Sequence, residues 1–268
     1  MKRLFKQVRQ VSIGKMLFDY EQFDIDFEVQ ATDDKDTDIA VIELSNLSED
    51  TKIRIKKDMD ISVAGGYEEL SGNLFNGTVD FVETIREGAD FITKIMATPN
   101  NRQYTNTIIN VQFRAGIKAS EILAQLENMC NFKIDIKGLA KDPVYPKGKA
   151  FSNRLSNVVA ILAKDTGTVA KFTNTTIEFR EPSKVYTRVI KLSGENGLIS
   201  VNRKQEGKEK KEKIFYEVES LLIPLIKPKQ LLDIKATNFT GRVVVKKCTY
   251  RADGTDTFSV YATTEVVE

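Results

Sequence analysis

A chain of 268 residues buries about 70–75% of its unfolded surface, room for one large domain or two to three small ones, so length alone excludes little. With 41% hydrophobic residues, 29% charged residues and a formal net charge of +2, the composition is that of an ordinary globular protein and carries no polyanion-binding signal. The sharpest exclusion is a zero: without one histidine the chain lacks the usual proton carrier near neutral pH and the commonest metal ligand, which removes Ser-His-Asp, Cys-His, zincin and most zinc sites.

In chain order, the opening Met1-Lys2-Arg3-Leu4-Phe5-Lys6-Gln7 is basic but has no apolar run behind it, so no cleaved signal peptide is expected. Residues 11–14 and 18–20 read as short strands. Asp24-Ile25-Asp26-Phe27-Glu28-Val29 alternates strictly, which predicts Ile25, Phe27 and Val29 on a buried face and three acids on the other. Between Asp19 and Asp50 there are twelve Asp or Glu against one base, Lys35. Two readings stay open: solvated strand faces around a loop at 32–38, or a surface that repels a polyanion.

Strands are predicted at 39–44, 60–64, 73–85 and 90–97, with Asn46, Gly65-Gly66, Asn76-Gly77 and Glu87-Gly88 as turn residues. Between the first two of these strands, Ser48 to Lys57 reads two ways: Ile53 and Ile55 alternate as in a strand, while Ser48 ahead of Glu49-Asp50 fits the N-cap of a short helix with acids in its first turn. The helix is the preferred reading because Asn46 and Lys56-Lys57-Asp58 bound it.

Near Ala115-Gly116 the period changes from two to 3.6. Ile122, Leu123, Leu126 and Met129 predict the apolar face of a helix after Ser120, and 132–136 a strand. After a loop holding Pro143 and Pro146, Leu155, Val158, Val159 and Leu162 predict a second helix, capped by Ser152 and ended at Gly167. A hairpin follows at 169–179, turning at Asn174. These residues form an α/β insert with its own core, bounded by Gly116 and Pro182.

Strands resume at 185–192, a turn is predicted at 193–197, and further strands at 214–222, 231–234, 241–246 and 257–263. Between Arg203 and Lys213 lie six bases and three Glu with no aromatic between them, which reads as a hairpin loop before it reads as a nucleic-acid patch. The longest apolar stretch, 221–226, is interrupted by Pro224 and far too short to span a membrane. Cys130 and Cys248 each sit in an apolar pattern and are expected as two buried thiols made in a reducing compartment.

Two parts of the chain echo each other. From Gly77 the sequence runs Gly77-Thr78-Val79-Asp80-Phe81-Val82, a charged turn, then Asp90-Phe91-Ile92 and Ala97-Thr98. From Gly241 it runs Gly241-Arg242-Val243-Val244-Val245-Lys246, a turn at Ala252-Asp253-Gly254, then Thr257-Phe258-Ser259-Val260 and Ala262-Thr263. Each is preceded by an Ile-Lys pair, Ile55-Lys56 and Ile226-Lys227. The spacing from each pair to its glycine differs, so the repeat is not strict, but the shared order of residues points to a β unit used twice, with the insert between the copies.

Asp165-Thr166-Gly167-Thr168 matches the short loop signature of aspartic proteases, but a helix ending Ala163-Lys164 leads into it and no second copy exists. Asn46-Leu47-Ser48 and Asn238-Phe239-Thr240 fit the glycosylation tripeptide without a secretion signal. There is no Walker motif, no GxGxxG and no paired CxxC. No catalytic, cofactor-binding or metal-ligating residue is assigned, and no enzyme is expected.

The order of the blocks resembles the baseplate hub proteins of phage tails: the T-even hub, the late control protein D family, and the hubs of defective phages and phage-like bacteriocins. It is carried by Ile42-Glu43-Leu44-Ser45-Asn46-Leu47-Ser48, by Ile55-Lys56-Lys57-Asp58-Met59-Asp60-Ile61 leading to Ala64-Gly65-Gly66-Tyr67, and by Leu74-Phe75-Asn76-Gly77-Thr78-Val79. After the insert come Leu192-Ser193-Gly194-Glu195-Asn196-Gly197-Leu198-Ile199 and Leu225-Ile226-Lys227-Pro228-Lys229. Where that family shows a glycine after the basic pair, this chain has Asp58-Met59; it is also shorter than the best-known members, which implies trimmed loops and no C-terminal extension.

The resemblance implies a mainly β chain with an α+β insert: a tube-like β module at 1–115, a small α/β domain at 116–183 and a second tube-like module at 184–268. It implies a homotrimer that adapts a sixfold tail tube to a threefold central spike. The implied partners are the spike, the tube or a tube initiator and the tape measure protein, with no membrane and no sequence-specific nucleic acid, DNA passing through the lumen. The implied place is the virion baseplate, after assembly in the bacterial cytoplasm. A distal tail protein or a carbohydrate- or wall-binding β module is the alternative, weakened by the absence of tryptophan and the dispersal of the eight tyrosines. A cell-wall hydrolase stands further off.

Overall fold

Strict alternation produces strands wherever one face is buried, and the chain follows that rule over most of its length. The computed structural model describes residues 4–32, 38–99, 107–130, 133–172, 176–181, 189–206, 213–254 and 257–267. Two compact units result, Met1–Pro99 with Tyr186–Glu268, and Asn100–Val185. The fold is mainly β with an α+β insert; of the segment 1–115, residues up to Pro99 lie in the first unit, whereas the strand Ile108–Phe113 within it belongs to the second.

The first unit opens with β1 (Gln7–Ile13), β2 (Met16–Asp19), β3 (Ile25–Thr32), β4 (Ile39–Ser45), α1 (Glu49–Arg54), β5 (Asp60–Tyr67), β6 (Leu70–Glu87) and β7 (Asp90–Thr98). The second unit holds β8 (Ile108–Phe113), β9 (Ile117–Lys118), α2 (Ala119–Cys130), β10 (Lys133–Ile136), β11 (Val144–Tyr145), β12 (Lys149–Arg154), α3 (Leu155–Thr166), β13 (Val169–Phe172) and β14 (Thr176–Arg180). The first unit resumes with β15 (Val189–Ser193), a 3-10 turn Gly194–Asn196, β16 (Leu198–Glu206), β17 (Lys213–Leu221), β18 (Leu231–Lys235), β19 (Thr240–Ala252) and β20 (Phe258–Val266).

One 13-stranded sheet contains two runs with the same order, β3-β4-β7-β6-β5-β1 and β16-β17-β20-β19-β18-β15. Equivalent neighbours are antiparallel in both runs except the last pair: β1 lies antiparallel to β5, whereas β15 lies parallel to β18. The likeness reaches single residues. In β6 the register slips at Asp80, between the pairs Val79↔Ala97 and Phe81↔Met96; in β19 it slips at Lys246, between Val245↔Thr264 and Lys247↔Thr263. Just before each fifth strand a residue other than glycine takes left-handed backbone, Asp58 at φ 66° and Lys229 at φ 68°. The Asp58 N–H donates to the Val79 carbonyl at 2.8 Å, and the Lys229 N–H to the Val245 carbonyl at 2.8 Å. Ile55 and Ile226, three residues earlier in each copy, are both buried.

The repeat is therefore real in register, with one correction: Val79 is equivalent to Val245, not Val243, so the glycine-to-glycine alignment of the two copies is two residues out. Two of the turn expectations also change. Gly65-Gly66 lies inside β5 and Asn76-Gly77 inside β6. A Cβ on Gly65 would stand 2.9 Å from Leu74 Cδ1, and one on Gly77 would meet the Thr98 carbonyl and the Phe75 ring. These glycines permit close approach of strands, and the turn falls instead at Glu68-Glu69. Ser48 caps α1 as expected, its Oγ accepting from the Thr51 N–H at 3.3 Å.

One buried cluster joins both modules: Ile25, Phe27 and Val29 of β3 share it with Val243, Val245 and Tyr250 of β19. The insert has its own, in which Ile122, Leu123 and Leu126 of α2 meet Leu155, Val158 and Leu162 of α3. Met129 is not part of that face; it is 60% exposed. Ser152 is not the cap of α3 either. It sits in β12, its hydroxyl donating to Asn110 Oδ1 at 2.7 Å, and the N-cap position is Arg154. Gly167 ends α3 in left-handed backbone, as the sequence predicts. The turn residue Asn174, the first residues of the 185–192 strand and the middle of the basic loop at 207–212 lie outside the described residues.

Candidate assembly surface

Among the described residues one seam stitches the two modules. The second half of β19 pairs with β3 from Lys247↔Thr32 to Ala252↔Phe27, antiparallel and without a break. Arg9 of β1 reinforces it from below: its guanidinium donates to the Ile25 carbonyl at 3.0 Å, to Asp26 Oδ1 at 3.1 Å and to the Asp253 carbonyl at 3.2 Å. Tyr20 lies across the guanidinium at 4.3 Å. Burial pushes the Asp26 carboxyl up from its ordinary value, Asp24 adds to this, and the backbone N–H of Gly254 with Arg9 only partly offsets it.

The equivalent seam on the first module is bare. By the register above, Phe81–Arg86 of β6 correspond to Lys247–Ala252 of β19, yet among the described residues β6 beyond Thr78 has a ladder only with β7. The consequence shows at one pair of identical residues. Phe258 on β20 is 4% exposed, packed edge-on to Tyr67 at 5.3 Å; its counterpart Phe91 on β7 is 44% exposed. Phe81, Ile85 and Met96 are exposed on the opposite face of the same hairpin. The tip is nevertheless held in place. Asn46, at φ 54°, donates from Nδ2 to Asp90 Oδ1 at 2.8 Å and accepts at Oδ1 from the Phe91 N–H at 3.0 Å.

A second open edge lies at the far end of the sheet. Among the described residues β16 pairs with β17 alone. Near its start the Asn238 side chain donates to the Val201 carbonyl, 2.6 Å away. Asn202, Arg203, Lys204 and Gln205 beyond it are exposed. Both asparagines of the glycosylation-like tripeptides thus serve local structure.

Part of the acidic run is paired in space. Asp26 meets Arg9, Glu28 meets Arg251 at 2.9 Å, and Glu43 meets Lys94 at 2.9 Å, while 33–37 lie outside the described residues. Asp165, from the protease-like tetrapeptide, accepts at Oδ2 from the Tyr145 hydroxyl at 2.8 Å and from Lys149 at 3.1 Å. Burial alone would raise this carboxyl, but those two partners outweigh it and hold it below its usual range, so it is a structural anion. Among the described residues no group of three or more Cys, Asp or Glu is arranged to hold a metal ion. Both cysteines are free; burial pushes the Cys248 thiol up to about 12.

No protein-family model and no curated protein matches the sequence. Solved structures do match over nearly the whole chain. The 43 kDa tail protein of prophage MuSo2 from Shewanella oneidensis superposes with a TM-score of 0.71 at 9% identity, covering 97% of this chain and 96% of that one. A tail protein from Neisseria meningitidis gives 0.68 at 6% identity, over 97% and 96%. The E. coli c3393 protein, a component of the type VI secretion system with structural similarity to T4 bacteriophage tail proteins gp27 and gp5, gives 0.65 at 11% identity, over 96% of this chain and 77% of that one. At such identities the likeness establishes the fold: this chain has the fold of those tail proteins.

Proposed function

We propose that this chain is a structural hub of a phage or phage-like tail baseplate, forming a trimeric ring that adapts the sixfold tail tube to the threefold central spike. The observation that supports it is the internal duplication with one seam filled and one bare. Three copies of a two-module chain set six near-equivalent modules around an axis, so one ring satisfies threefold and sixfold neighbours together. Bare strand edges are a liability in a monomer and an asset in a ring that closes. Within this reading 1–115 and 184–268 act as tube-like modules and 116–183 as the small α/β domain. The partners are the spike, the tube or its initiator and the tape measure protein. DNA passes through the lumen without base-specific contact. The role is structural, not enzymatic, in a virion baseplate put together in the bacterial cytoplasm.

Light scattering on the purified chain, alone and mixed with the spike of the same tail, tests this. A particle of about three times the 30.2 kDa chain mass is expected, alone or on adding the spike. A stable monomer under both conditions would overturn the reading.

A further inference from the structure

The filled seam supplies a template for the bare one. β3 occupies the outer side of β19, and the sheet order makes β16 the equivalent of β3 and β6 the equivalent of β19. Carrying the registers through β4 with β7 and β17 with β20 aligns Phe27 with Val201, Glu28 with Asn202, Val29 with Arg203, Gln30 with Lys204 and Ala31 with Gln205. Substituting both strands into the β19–β3 ladder yields a specific intermolecular register. It sets Val82 opposite Gln205, Thr84 opposite Arg203, Glu83 opposite Lys204 and Ile85 opposite Asn202.

We infer that the β6 edge from Val82 to Ile85 takes β16 of a second copy of this chain in that antiparallel register, closing each bare seam with the strand that has no outer neighbour among the described residues. The inference rests on the trimeric hub reading and specifies its contact. Three features of the two edges fit it. The Val201 carbonyl receives Asn238 and so points away from β17; by alternation Arg203 and Gln205 turn their backbone groups to the open side. On β6 the two-residue turn after the Glu87↔Asp90 pair turns Val82, Thr84 and Arg86 away from β7, so the outward-pointing groups of the two edges meet in phase. One charge pair is also complementary: in this register Glu83 faces Lys204, which within its own chain lies 3.5 Å from Glu217. The covering strand brings its module against the exposed Phe91, as the module of β3 brings Tyr67 and Arg9 against Phe258.

Glu83 and Lys204 fall at a non-hydrogen-bonded position, where opposing Cβ atoms approach within reach of a disulfide. In a Cys130→Ser background, the double variant Glu83→Cys with Lys204→Cys is oxidised as the purified full-length chain at concentrations where light scattering reports its assembly. A covalent ladder that stops at three chains on a non-reducing gel is expected, with no ladder from either single variant or from the slipped pair Glu83→Cys with Asn202→Cys. A trimer by scattering that gives no Glu83–Lys204 bond, or that bonds through the slipped pair, overturns this seam and leaves the trimeric reading standing. A monomer at every concentration, with and without the spike, overturns both. Charge reversal adds an arm free of oxidation: Glu83→Lys is expected to weaken association several-fold, and Lys204→Glu in the same chain to restore it. Unchanged association in the single reversal would count against the register.

Discussion

The hairpins β6–β7 and β19–β20 are the same object in different surroundings. Each has a register slip one residue after the valine that bonds back to a left-handed residue, Val79 to Asp58 and Val245 to Lys229. Each carries a phenylalanine at the start of its returning strand. Around β19–β20, β3 fills the outer edge and the inner face carries Cys248, Tyr250, Phe258, Val260 and Ala262, all buried. Around β6–β7 no strand among the described residues fills that edge, and the corresponding positions are Val82, Thr84, Phe91, Thr93 and Ile95, of which Thr84 and Phe91 are exposed. The difference lies in the neighbours and not in the strands' own geometry. A hairpin of this kind does not need its outer partner to hold its shape, and the first copy keeps that shape ready for one.

Substituting equivalent positions gives the largest contrast. Tyr250 is 1% exposed and its hydroxyl donates to the Ile226 carbonyl at 2.5 Å. Tyr250→Ala removes a fully packed ring and leaves that carbonyl without its partner, at an expected cost of about 3–5 kcal/mol in urea unfolding. Thr84→Ala, at the same place in the first copy, removes only the hydroxyl that meets the buried Thr93 at 3.2 Å and is expected to cost about 1 kcal/mol in the monomer. Comparable losses at both sites would mean that the bare seam is already filled within one chain.

A smaller effect separates the seams by pH. Asp26 lies at the end of the filled seam, and Ser200 holds its place on β16. The folded carboxyl is raised above its ordinary value, by burial first and by Asp24 second. The protonated form therefore favours the fold, and that contribution is present below the ordinary carboxylate value and is lost as pH rises through the raised folded value. Relative to Asp26→Asn, the native chain is expected to gain stability as pH falls through the carboxylate range, read as a shift of the urea midpoint between pH 7 and pH 4. An Asp26→Asn difference that does not change with pH would remove this distinction between the seams.

Much of the fold was legible in the sequence because strict alternation and turn chemistry act locally. Ile25, Phe27 and Val29 are buried where the pattern put them, and Ser48 and Gly167 start and stop their helices for the expected reasons. The duplication was legible too, but two residues out of register. Aligning glycine to glycine cannot allow for Gly77 being there to clear the Thr98 carbonyl and the Phe75 ring, a demand Val243 does not meet at the equivalent place. Gly65-Gly66 misled for the same cause, since composition does not tell a turn from a close approach. Asp58 belongs to the residue types that visit left-handed backbone but Lys229 does not, so the sharpest mark of the repeat was legible in one copy and silent in the other. The open seam was illegible altogether. Phe91 and Phe258 sit in similar local sequence, and only the strands that pack beside them, far along the chain, decide which one is covered.

The most direct test is a three-dimensional reconstruction of the assembled particle by electron microscopy. The account predicts a threefold ring in which six hairpins, three around Val79 and three around Val245, alternate at similar radius about one axis. A particle in which these hairpins lie at unrelated radii or do not alternate, or which has no threefold axis, would contradict it.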